Sequence, residues 1–215
     1  MKNKGFWIAL AACFIPFIIG IVFYNQLPEL IPSHWNLAGE VDSYMNKNLF
    51  LFGLPAIMIV IFVVCSLATK LDPKNENISP LMMNLIYAIV PIISIVTYTL
   101  CINAALPNGL DIPINFAMTL LLGIIFVVIG NYLPKCKQSY TVGIKTPWTL
   151  EDNEVWNKTH RLGGFIFTLM GIVFLLSGFI SNEYIVYVIL IAALIATFIP
   201  VVYSYVLYKN KHGKD

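Results

Sequence analysis

Charged residues divide the 215-residue chain into six long uncharged stretches, 5–28, 48–69, 77–110, 112–134, 162–182 and 184–208. Each is dominated by aliphatic and aromatic side chains and reaches the roughly 20 residues that a helix rising ~1.5 Å per residue needs to cross ~30 Å of hydrocarbon. A backbone in lipid must satisfy its own hydrogen bonds, so continuous helix is the expected form. The pattern predicts spans over 5–24, 48–69, 81–105, 114–133, 162–180 and 184–208. The third is the longest uncharged stretch and is punctuated at its end by Pro107, Asn108 and Gly109.

Composition sharpens this picture. Hydrophobic residues make up 59% and charged residues 11% of the chain, against about 45–50% and about 25% in soluble domains. A water-soluble globule is thereby excluded. Glycines recur every seven residues at Gly123 and Gly130 and at Gly164, Gly171 and Gly178. Seven residues is nearly two helical turns, so each set lines one face and favours close helix packing. None of the spans carries an Asp, Glu, Lys, Arg or His near its middle, which demotes ion-coupled transport.

Charge orients the chain. With the termini on one side, that side collects twelve of the 13 Lys and Arg residues and leaves only Lys47 opposite. Basic residues flanking spans are retained in the cytoplasm, so both termini and the segments 70–76 and 135–161 are expected there. The opposite face carries Glu29, Glu40, Asp42, Asp111 and Glu183 against Lys47 and would attract cations. The apolar run from residue 5 to about Leu27 has no clear cleavage site and reads as a retained span. The four cysteines have neither paired nor zinc-ligand spacing.

The expected architecture is an all-α membrane protein of six transmembrane helices, with both termini cytoplasmic and a short interfacial cytoplasmic helix. It forms a single integral membrane domain: a two-span unit over 1–69 with an outer cap at 25–47, spans three and four over 70–133, and a cytoplasmic segment plus the last two spans over 134–215.

Two polar segments carry the candidate chemistry. In the outer stretch 27–47, Pro28 and Pro32 stiffen the chain while Asn36 and Gly39 invite turns. His34 and Trp35 suit the headgroup level, and Glu40 or Asp42 is expected to organise the loop through backbone amides. One His with two carboxylates at irregular spacing matches no strong metal-ligand pattern, so no metal or other cofactor is expected. In the segment 134–161, Gly143 and Pro147 mark turns, Thr149 is placed as the cap of a helix beginning at Leu150, and Val155 and Trp156 are expected to dip into the membrane interface. His160 beside Arg161 has no evident carboxylate and nucleophile partner, and phosphate-loop, HExxH and GxSxG motifs do not occur.

The outer stretch resembles the N-terminal motif of the SdpI family in Leu27, Pro28, Ile31, Pro32, His34, Trp35, Asn36, Gly39, Asp42, Tyr44 and Lys47. The second stretch is similar to that family's other signature in Gly130, Asn131, Gly143, Ile144, Lys145, Thr146, Pro147, Trp148, Thr149, Leu150, Val155, Trp156, His160 and Arg161. Lys145 stands where many relatives are expected to carry Arg. The resemblance implies a non-enzymatic, multi-pass immunity protein of the bacterial cell membrane that protects against a secreted, membrane-active toxin peptide. It also implies a possible second role as a receptor holding a cognate repressor at the membrane. On this reading Pro32, His34, Trp35, Asn36, Glu40, Asp42 and Tyr44 are candidate ligand contacts. Lys145, Thr146, Pro147, Trp148, Thr149, Trp156, His160 and Arg161 are candidate contacts of a cytoplasmic partner or parts of a clamp. The competing readings are a transporter or exporter of a small hydrophobic molecule and an intramembrane enzyme using His34 or His160.

Overall fold

The computed structural model describes residues 4–36, 38–179 and 182–213, with side chains of 182–186 left aside. Among the described residues, six helical stretches are long and apolar enough to cross a membrane: Lys4–Gln26, Leu49–Lys70, Pro80–Ala105, Ile114–Lys135, Asn153–Ser177 and Tyr187–His212. The expected spans are therefore present, most ends displaced by a few residues, and the fifth helix begins at Asn153, nine residues before the expected start. Two compact units divide the chain, one from Met1–Leu67 with Met83–Ala117, the other from Ala68–Met82 with Met118–Asp215.

In the first unit the opening span breaks into α1 (Lys4–Ala12) and α2 (Ile15–Phe23). Pro16 lies in the first turn of α2, where its missing N–H costs least but where a continuous helix would clash with the preceding turn. The expected outer cap is a β-hairpin, β1 (Leu30–Trp35) and β2 (Val41–Asn46). Its antiparallel register shifts on both sides of His34, two residues beyond Pro32, which has no amide to give the ladder. Gly39 closes the turn with φ +83°. Leu27 and Ile31 pin the hairpin to a buried cluster with Phe50, Leu51, Tyr98 and Ile102. Five residues of π-helix, Leu49–Gly53, precede α3 (Leu54–Lys70). The Tyr98 hydroxyl from α4 (Pro80–Ala105) donates to the Leu51 carbonyl at 3.3 Å, and its ring stacks on Phe50.

The second unit joins α5 (Ile114–Tyr132, from Met118 onward) to α6 (Pro147–Glu151), α7 (Asn153–Ser177) and α8 (Asn182–His212). The glycine faces are packing faces. A β-carbon on Gly130 would lie 2.5 Å from the Thr168 backbone nitrogen and one on Gly171 would lie 2.6 Å from that of Val127, so α5 and α7 approach backbone to backbone, as small residues allow in lipid. Ile166, Met170, Phe174 and Ala192 form a buried cluster between α7 and α8.

Candidate functional site

Each unit carries one polar assembly. The hairpin turn of the first is built on Asn36: its backbone N–H donates to the Glu40 carbonyl at 2.8 Å, and its Oδ1 accepts the Ala38 and Glu40 amides at 2.9 and 3.0 Å. The backbone organiser is thus Asn36 rather than Glu40 or Asp42. Asn has the short side chain that reaches amides two to four residues ahead. Glu40 accepts from the Asn36 side-chain amide at 3.2 Å, while Asp42 Oδ1 meets His34 Nδ1 at 2.6 Å. The three residues therefore do not converge on one point, and among the described residues no group of three His, Cys, Asp or Glu side chains could hold a metal. His34, Asp42 and Tyr44 are exposed, Trp35 is half-buried and Pro32 is buried against the hairpin base.

Lys47, quoted in the motif but given no role by sequence, is the buried anchor of this base. Its ammonium donates to the Leu27 carbonyl at 3.1 Å, pairs with Glu29 at 3.1 Å and lies 4.8 Å from the centre of the Tyr24 ring. A buried ammonium is tolerated because carbonyl, carboxylate and aromatic face together replace its water.

The second assembly centres on Asp72, which sequence reasoning missed. Asp72 Oδ1 accepts the Lys74 amide at 2.8 Å. Its Oδ2 accepts the Tyr140 and Thr141 amides at 2.9 and 2.8 Å and the Ser139 and Thr141 hydroxyls at 2.6 and 2.7 Å. Burial pushes this carboxyl up, but the hydroxyl and amide donors together outweigh it and hold Asp72 well below the usual carboxylate range. Gln138 extends the assembly: its amide donates to the Thr149 and Leu150 carbonyls at 2.8 and 2.7 Å, its Oε1 accepts from Lys74, and its backbone carbonyl accepts from Asn77 at 2.8 Å. The only sequence signal was Asp-Pro directly after a span, an Asx-turn former with no stated partner.

The segment 143–160 folds onto this base. Thr146, not Thr149, caps the short helix, which begins at Pro147. The Thr146 hydroxyl accepts the Thr149 amide at 3.2 Å and the Thr149 hydroxyl accepts the Thr146 amide at 2.8 Å. Proline at the first helical position explains the earlier start, since its fixed φ suits N1. Asp152 then caps α7, accepting the Glu154 and Val155 amides at 2.7 and 3.1 Å. It also pairs with Lys211 at 2.8 Å and His212 at 3.0 Å from the end of α8. The Lys211 contact, with His212 and the two amides, holds the Asp152 carboxyl well below the ordinary range against the opposing effect of burial.

Trp156 does not dip into the interface. It is wholly buried, its indole N–H donates to the Cys136 carbonyl at 2.8 Å, and its ring stacks on His160 with centroids 3.9 Å apart. The residues 153–161 continue helically into span five, which turns Trp156 toward the 136–144 segment rather than outward. His160 is also fully buried: Nε2 accepts the Ile144 N–H at 2.9 Å, which leaves Nδ1 as the protonated nitrogen facing the Trp156 carbonyl at 2.8 Å. Both ring nitrogens are thus engaged by backbone and neither is offered to a substrate. Trp148 packs on Tyr205 with centroids 5.0 Å apart. Lys145 is exposed and donates to the Thr141 carbonyl at 3.1 Å, and Pro147 and Arg161 are exposed. Of the second candidate set, then, Thr146, Thr149, Trp156 and His160 are interior, Trp148 is half-buried, and Lys145, Pro147 and Arg161 face outward.

Comparison with known proteins finds two family matches, one spanning the hairpin and one spanning the 135–161 segment. Residues 135–204 match the model of the SdpI/YfhL protein family, and residues 11–59 match a domain of unknown function, DUF1648. The chain is 26% identical to "Immunity protein SdpI" of Bacillus subtilis (strain 168) over 200 residues, 93% of each chain. It is 37% identical to "Uncharacterized membrane protein YbgB" of the same organism over 59 residues, 27% of this chain and 62% of that protein. No solved structure matches the chain. With six membrane-length helices and a match to the SdpI/YfhL family over 135–204, this is a multi-pass bacterial membrane protein similar to that family.

Proposed function

We propose that this protein is an immunity protein that protects its cell from a secreted, membrane-active toxin peptide. The observation that carries the reading is similarity to an immunity protein along 93% of both chains. The twelve-to-one distribution of basic residues puts the termini and the 70–76 and 135–161 segments in the cytoplasm and the hairpin outside. There the hairpin offers Tyr44, His34 and the Glu40 and Asp42 carboxylates to an arriving peptide. The Asp72 and Trp156–His160 assembly acts as a clamp that fixes the cytoplasmic ends of the helices. No bond is broken in this scheme, and the backbone engagement of both His160 nitrogens favours a structural role over acid–base work. Gly123 and Gly130 of α5 and Gly164 and Gly171 of α7 pack closely on neighbouring side chains and backbone, which leaves the six spans alone in favour of a transport path. The exposed Lys145, Pro147 and Arg161 form the surface through which a repressor would be held.

Expression in a toxin-sensitive bacterium tests immunity directly: survival is expected to rise with protein level. Equal killing with and without the protein, at verified membrane abundance, refutes the proposal. The repressor role is tested by fractionation, with the regulator moving to membranes only when toxin and protein are both present.

A further inference from the structure

Beside the hairpin, within the first unit, lies a cavity of about 310 Å³ lined by Trp35 from β1, by Leu100, Asn103 and Ala104 from the last turns of α4, and by the 106–114 connection including Asp111. We propose that it receives a primary ammonium group carried on an apolar stem, the N-terminal residue or a lysine of the peptide that the hairpin engages. The proposal rests on the toxin-binding reading of 27–47 and assigns the part of the peptide recognised there.

Three features share one sign. Trp35 supplies an indole that the hairpin leaves half-exposed, and an indole face is the strongest aromatic partner for a cation. Asp111 supplies a carboxylate that, among the described residues, has no hydrogen bond or ion pair, unlike Asp42, held by His34, and Glu40, held by Asn36. The 26-residue α4 ends here, so the negative end of its dipole lies at the cavity. Asn103 is not a free donor that would favour an anion: its amide donates to the Leu110 carbonyl at 2.8 Å and its Oδ1 accepts the Leu110 amide at 2.9 Å. Those two bonds fix the connection next to Asp111, so the carboxylate is held at the rim before a ligand arrives, which spares ordering cost on binding. Leu100, Ala104, Leu106 and Ile112 provide apolar wall for the stem. The volume is at the lower end for ligand sites and suits one residue rather than a folded domain.

The test uses the full chain, labelled with 5-fluorotryptophan, in phosphatidylglycerol nanodiscs that contain no amine. The Trp35 fluorine resonance is assigned by its loss in Trp35→Phe. Phenethylammonium is titrated against the neutral phenethyl alcohol and the anionic 3-phenylpropionate, which carry the same ring. The expected result is a saturable Trp35 shift with the amine, at least tenfold weaker binding of the alcohol and acid, and at least tenfold loss of amine affinity in Asp111→Asn but not in Glu76→Gln, an exposed carboxylate of the other unit. Equal response to all three probes, or unchanged amine affinity in Asp111→Asn, overturns the proposal. A Trp35 shift produced by phosphatidylethanolamine alone and not displaced by the amine also overturns it, because the lipid headgroup is then the occupant. Full protection of sensitive cells by Asp111→Asn at unchanged abundance sinks the ammonium site and leaves immunity standing, whereas absence of protection by the unaltered protein sinks the immunity reading whatever the probes do.

Discussion

Gly143 sits against the face of His160 so closely that a β-carbon on it would collide with Nε2, the atom that accepts the Ile144 N–H. The backbone of Gly143 has φ +113°, a region that L side chains rarely adopt. The glycine is thus required both by conformation and by space, with Trp156 2.9 Å from the same notional carbon. Gly143→Ala is expected to lower stability by about 2–4 kcal/mol, from backbone strain plus overpacking of a fully buried ring. Thermal unfolding in detergent followed by tryptophan emission checks this; an unchanged midpoint would show that the loop relaxes freely and that the His160 contact is incidental.

Asp72 leads to a second expectation. Its folded carboxyl is held below the ordinary range, so its contribution to stability is fully present above the unfolded-state value near about 4 and is lost as pH falls through the folded one. The apparent melting temperature should therefore fall on acidification below about pH 4. In Asp72→Asn it should already be low at pH 7, with stability reduced by about 3 kcal/mol, because an amide that turns its oxygen to the four Oδ2 donors sets its nitrogen against the Lys74 N–H and loses the charge that strengthens every bond. A variant with wild-type stability at pH 7 would contradict the anchoring role.

The spans and the glycine faces were legible in sequence because lipid imposes a long-range rule that charge and residue size report directly. Asp72, Gln138 and Ser139 were not, because their partners lie more than sixty residues away or in a loop whose path no periodicity encodes. The motif residues divide for the same reason. A tryptophan at a span end reads as interfacial, yet burial of Trp156 depends on the 136–144 segment crossing over it. The hairpin was hidden by its prolines and bulge, which erase the period-2 alternation that announces a strand.

Close approach of α5 and α7 sets a third prediction. Gly130→Val and Gly171→Val should each reduce membrane abundance and detergent stability, since their new side chains meet backbone atoms that cannot rotate away. Gly213→Val, near the C-terminus, is the comparison: its β-carbon would also meet a backbone oxygen, that of Lys209 at 2.6 Å, but within the end of α8, where the chain can shift without parting two helices. Size-exclusion profiles after solubilisation distinguish the cases, and monodisperse, abundant Gly130→Val protein would argue against the packed-face reading.

Thr159 offers a test in the opposite direction. Its hydroxyl is buried and is the only buried side-chain polar atom without a hydrogen-bond partner among the described residues. Replacing an unpartnered hydroxyl by a methyl of similar volume removes a desolvation cost, so Thr159→Val should be neutral or gain up to about 1 kcal/mol. A loss of stability would show that the hydroxyl has a partner in the membrane-embedded protein. A gain in stability accompanied by loss of protection would instead place Thr159 in function, an outcome that the survival assay reads independently of unfolding.

The hairpin carboxylates separate stability from recognition most sharply. The His34–Asp42 pair is 2.6 Å long but its side chains are 68% and 42% exposed, and exposed pairs contribute about 0–1 kcal/mol. Asp42→Asn and Glu40→Gln should therefore leave the melting temperature nearly unchanged. If these groups attract and orient an incoming cationic peptide, the same changes should reduce protection severalfold, with the deficit shrinking at high ionic strength as long-range attraction is screened in the unaltered protein too. Lys47→Met, by contrast, removes a buried ammonium from Leu27, Glu29 and Tyr24 together and should reduce abundance as well as protection. Equal protection by Asp42→Asn, Glu40→Gln and the unaltered protein at low salt would remove electrostatic recognition from the hairpin and leave its apolar edge as the surface to test.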